Sequence, residues 1–128
     1  MVLRGATRAK GRIIMRKQLI ESAAFEVATQ VRAVEDAIEA ALAEITELQS
    51  RMIRARATCG IATATGHEAF EQLADATRRL VQARGGMAHC HLTLKETTQL
   101  VPGLRTVSFG DAQECPPKQA RADLRVVA

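Results

Sequence analysis

Apolar residues recur along the first half of this chain with a seven-residue rhythm. Stepping 4 and 3 residues alternately from Ile20 gives Ala24, Val27, Val31, Val34, Ile38, Ala41, Ile45, Leu48 and Met52, and every position is apolar. A stripe with a 3.5-residue period lies along one face of an α-helix and suits a coiled-coil seam. Leu19, Phe25, Ala28, Leu42 and Ile53 widen it, as in a helix with more than one neighbour. Glu21, Glu26, Arg32, Glu35, Asp36, Glu39, Glu44 and Glu47 occupy the outward positions, and no Gly or Pro interrupts residues 12–59. The pattern predicts one helix from about residue 13 to 57, roughly 65 Å long.

Residues 58–66 (TCGIATATG) are small and carry two glycines, which reads as a connection. Thr65 followed by Glu68 matches a capping box, in which the two side chains satisfy free N–H groups at a helix start. A second helix is expected over about 66–101, with Phe70, Leu73, Thr77, Leu80, Val81, Met87, His91 and Leu94 on its apolar stripe. Gly85-Gly86 should weaken or break it, since each Gly costs about 1 kcal/mol relative to Ala. Pro102-Gly103 ends it.

A short link between long helices implies antiparallel packing, with the chain folding back near residue 62. The second helix then ends beside residues 20–25 of the first. The expected fold class is therefore all-α: a long, coiled-coil-like helical hairpin over 13–101, a flexible basic arm over 1–12 and an extended tail over 102–128. Thr106–Phe109 and Leu124–Val127 are candidate short strands in that tail. Two helices hide only one side of each other, so the hairpin is expected to complete a four-helix bundle by dimerising. The seam would comprise Ile20, Val27, Val31, Val34, Ile38, Ile45 and Leu48 with Phe70, Leu73, Leu80 and Leu94. On that reading a double Val31→Asp, Ile38→Asp change abolishes assembly.

Composition sharpens this picture in two ways. Hydrophobic residues reach 47%, yet there are three Phe, no Trp and no Tyr, which suits narrow helix seams better than a thick globular centre. The net charge of +4 is also lopsided: Arg4, Arg8, Lys10, Arg12, Arg16 and Lys17 are unaccompanied by acid, while the remaining 111 residues carry 12 basic and 14 acidic side chains. Six charges in 17 residues can contact phosphates, each contact adding salt-dependent affinity. The arm lacks base-stacking aromatics and nothing resembles a helix-turn-helix or zinc finger, so a nucleic-acid-binding accessory protein is the second reading. If translation starts at Met15, four of the six charges vanish.

No apolar run is long enough to span a bilayer, and no signal-peptide h-region follows the early arginines, so a cytoplasmic protein is expected. The arm resembles an organellar transit peptide in composition but contains no Ser. Cys59, Cys90 and Cys115 are odd in number and widely spaced, which favours free thiols over a disulfide framework.

His89-Cys90-His91 is the one cluster of reactive residue types. Successive helical side chains point about 100° apart, so the three cannot converge on one metal ion. The stretch from His91 to Lys95 and Glu96 is faintly similar to the phosphorylated helix of histidine phosphotransfer bundles, but Glu96 stands where those carry a small residue. A phosphorelay or metal-binding role for His91 and Cys90 is thus a remote third reading. The paired carboxylates Glu35-Asp36 and Glu44 with Glu47 read as a solvated helix face. With no cofactor motif and no nucleophile motif, the first reading is a non-enzymatic interaction or structural protein, self-associating or bound to another protein.

Overall fold

The computed structural model describes residues 3–104, and side chains from residue 7 onward. Two helices fill most of it: α1, Leu3–Cys59, and α2, His67–Thr98. They pack antiparallel, as the contacts of Arg84 with Glu39 and of His91 with Glu35 require. The all-helical hairpin is therefore as expected. No strand occurs among the described residues, and the candidate strands of the tail lie outside them.

α1 begins ten residues before the expected start at about residue 13, so the segment expected to be a flexible arm is helical from Leu3. Its Ala, Arg and Lys residues are strong helix formers, and their exposed charges meet the unfavourable helix dipole through solvent, where it is weak. At the other end Gly60 takes φ 62°, a left-handed conformation that costs Gly nothing. The Gly60 amide donates to the Ala57 carbonyl and the Ile61 amide to that of Arg56, both at 3.3 Å. This is the Schellman closure, which satisfies two carbonyls that the helix leaves free.

The connection is then held by one side chain. The Arg56 guanidinium donates to the carbonyls of Thr65, Ala62 (2.5 Å) and Thr63 (2.7 Å), and it lies 5.5 Å from the centre of the Phe70 ring. The expected capping box is not formed. The residue preceding α2 is Gly66, at φ 73°, and no side chain caps the helix start. With Gly66 in that position Thr65 sits one residue too early, and its carbonyl is turned to Arg56.

α2 runs without a break through Gly85-Gly86, contrary to expectation. The cross-helix contacts of Arg84 and His91 flank the glycines and hold the helix across its weakest point. It ends at Thr98, three residues short of the expected limit, in successive tight amide-to-carbonyl bonds from Gln99, Leu100 and Val101. Pro102 and Gly103 then occupy the middle of a turn closed by the Leu104 amide on the Val101 carbonyl at 3.2 Å. Gly103 has φ 92°, the sign a type II turn needs at that position.

The core is one residue deep. Val31 and Leu104 are the buried hydrophobic residues, joined by buried His91 and Thr98. Ile20, Val34, Ile38, Ile45, Phe70, Leu73, Leu80 and Leu94 are half-buried along the same seam. Val27 and Leu48, placed in the seam by the heptad, are exposed.

Candidate interaction surfaces

Three surfaces follow from this geometry. The first is a cleft of about 370 Å³ midway along the hairpin, lined by Glu35, Asp36, Ile38, Glu39, Arg84, Gly85, Met87, Ala88, His91 and Leu92. Four of its polar groups are already engaged in two pairs. His91 Nδ1 lies 3.1 Å from Glu35 Oε1, and the Arg84 guanidinium is bonded to the Glu39 carboxylate. That bond, reinforced by the opposite charge, raises the Arg84 pKa further.

The chemistry suggested for His91 and Cys90 finds little support here. His91 is 7% exposed and turned into the seam, whereas a phosphoryl acceptor must meet its partner from solvent. Cys90 and Cys59 are exposed free thiols, and His89 is exposed as well. No group of three or more His, Cys, Asp or Glu side chains is placed to hold a metal ion among the described residues. The 35–91 pairing was nonetheless within reach of the sequence. A chain folded back at residue 62 aligns residue n with 124 − n, which puts Glu35 beside His89 and Glu39 beside Gly85.

The second surface is apolar. Phe25 is 72% exposed, and Val27, Leu48, Ile53, Val81, Leu92 and Leu100 are also exposed. They flank the seam on both helices, so the hairpin leaves much of its apolar surface uncovered.

The third is the N-terminal overhang of α1. A Cβ on Gly103 would lie 3.8 Å from Lys17 Cγ, so the turn after α2 sits beside Lys17. Residues 3–16 project past it by about 21 Å at ~1.5 Å per residue. Every residue from 7 to 19 is exposed, including Arg8, Lys10, Arg12, Arg16 and Lys17 as well as Ile13, Ile14, Met15 and Leu19. Arg4 belongs to the same helix. Lys17 approaches Glu21 at 3.8 Å, while Arg8, Lys10, Arg12 and Arg16 make no ion pair among the described residues.

No helix among the described residues is long and apolar enough to cross a membrane. Neither family models, curated proteins nor solved structures yield a match to this chain.

Proposed function

We propose that this chain is a non-enzymatic interaction protein that self-associates, most simply as a dimer. One observation carries the reading: the hairpin buries only Val31 and Leu104 among its described hydrophobic residues, while twelve large ones stay exposed. Full burial of a side chain such as Phe25 is worth about 1.5–3 kcal/mol, and at 72% exposure most of that is unrealised. A second copy offers the same apolar flanks, and two hairpins together close a core that one leaves open.

The test is the solution mass, by light scattering after size exclusion at low and moderate salt. A dimer or larger assembly is the expected result. A monomer at both salts refutes self-association and leaves the apolar flanks for a different protein.

A second reading, a nucleic-acid-binding accessory protein, is favoured by the exposed overhang with Arg8, Lys10, Arg12 and Arg16. It requires duplex binding that falls steeply with salt and disappears when residues 1–14 are deleted. Binding that survives the deletion removes the overhang from the argument.

A further inference from the structure

The overhang is basic, and the same helix carries its electrostatic complement farther along. Residues 3–17 hold Arg4, Arg8, Lys10, Arg12, Arg16 and Lys17 and no acid. Residues 33–47 hold Glu35, Asp36, Glu39, Glu44 and Glu47 and no base. Both segments are 15 residues long, about 22 Å of helix each.

Two copies of α1 lying antiparallel about position 25 align residue n with residue 50 − n. That register sets 3–17 of each copy, with six bases, alongside 33–47 of the other, with five acids. Of these, Glu35, Glu39 and Glu47 already engage His91, Arg84 and Arg51 within their own chain, and Asp36 and Glu44 make no such pair among the described residues. At its centre stands Phe25, the most exposed aromatic side chain described, at 72%. The charge blocks alone put the midpoint in the same place: Arg4–Lys17 is centred between 10 and 11, Glu35–Glu47 at 41, and halfway between is about 26.

The face concerned is open. Ile14, Gln18, Phe25, Arg32 and Asp36 fall within about 40° of each other around a helix of 3.6 residues per turn. Phe25 lies about 120° from Val31, the residue that α2 covers, so α2 does not occupy the Phe25 side. Asp36 and Glu44, on the acidic block, are exposed.

We propose that the basic overhang of each copy docks on the Glu35–Glu47 stretch of α1 in a second copy, in an antiparallel dimer centred on Phe25. The proposal rests on self-association and specifies its geometry. It also accounts for a basic, exposed helix start whose Arg8, Lys10, Arg12 and Arg16 make no ion pair among the described residues. Other polyanions, such as duplex DNA, would compete for the overhang but would not place Phe25 beside Phe25.

Charge exchange tests it. The first variant, Arg8→Glu, Lys10→Glu, Arg12→Glu, takes the overhang from +6 to zero and leaves the acidic body unchanged. The second, Asp36→Lys, Glu44→Lys, carries a basic overhang and a body stripped of two acids. Each alone removes most of the net attraction at both docking sites and should weaken dimerisation on the order of 100-fold at low salt, with helicity retained. An equimolar mixture restores the natural match of +6 with −5 at one of the two docking sites and should favour a mixed dimer, read by light scattering, over either variant's own. In a third variant, Phe25→Cys with Cys59, Cys90 and Cys115 replaced by Ser, mild oxidation should link two chains through position 25.

Dimerisation unchanged by the first variant overturns the docking while leaving self-association intact. Two weakened variants that fail to recover on mixing also overturn it, because the charges then act other than by pairing between copies. A monomeric natural chain refutes both proposals together.

Discussion

Gly85 and Gly86 offer the sharpest test of the hairpin itself. Both lie inside α2, and a Cβ built on either meets nothing within 4 Å. An alanine at each site therefore adds a methyl to open space and removes the conformational freedom that Gly brings to the unfolded chain. The helix-propensity difference is about 1 kcal/mol per site, so Gly85→Ala, Gly86→Ala should stabilise the chain by about 1–2 kcal/mol. For a chain of 128 residues that raises the melting temperature by roughly 4–8 °C. The assay is thermal and urea unfolding followed by far-ultraviolet circular dichroism, at one protein concentration because assembly shifts apparent stability. A matched control carries the opposite sign. Gly66→Ala places a side chain at φ 73°, where Arg56 Nη1 already lies 3.5 Å from the new Cβ, and should cost about 1–2 kcal/mol. A destabilised Gly85→Ala, Gly86→Ala chain would refute the open surroundings of these glycines. The added methyls would then be meeting something the single hairpin lacks.

Arg56→Ala should lower stability by about 1–3 kcal/mol, since three carbonyls of the connection lose their donor, and Arg56→Lys should recover little of it because an ammonium cannot fork to them. Denaturant midpoints of the two variants decide this. Val31→Asp, Ile38→Asp should melt the hairpin itself as well as any assembly: Val31 is 8% exposed, and an unpaired charge there costs several kcal/mol. Loss of helicity along with mass is the expected result, and a fully helical monomer would contradict it. At the surface, hydrogen bonding from Arg78, with the charge of Arg79 adding to it, lowers the Asp75 pKa. A carboxylate with a lowered folded-state pKa contributes stability above its unfolded value and loses it as pH falls through the folded value. Asp75→Asn should therefore lower stability slightly at neutral pH and leave it unchanged in strong acid, flattening the acid side of the profile, as titration of the unfolding midpoint will reveal.

The sequence carried the hairpin well because periodicity is a long-range signal. Nine heptad steps from Ile20 leave little freedom about which face of α1 is apolar, and the fold-back point fixed the register to within a few residues. It carried the ends poorly. The expected start of α1 follows the run free of Gly and Pro from residue 12, yet the helix continues through Gly11 and Gly5 to Leu3 without any apolar stripe to support it. Gly85-Gly86 was read as a break because local propensity was weighed without the Arg84 and His91 contacts on either side. Glu35 was assigned to the solvated face, although it borders the seam and holds His91. Arg56 illustrates the remaining difficulty. Nothing local announces that its guanidinium gathers three carbonyls of the connection that follows.

A core this thin also governs how the chain should respond to heat and denaturant. Heat capacity rises on unfolding in proportion to the apolar surface newly wetted, and the denaturant slope follows the total surface exposed. A single hairpin in which Val31 and Leu104 are the buried hydrophobic residues has little left to wet. Its calorimetric transition should be broad and its urea curve shallow for a chain of this length. Steepening of both with rising protein concentration would mark the point at which folding and association become one event, so that the number of copies present sets how sharply the chain is folded at all.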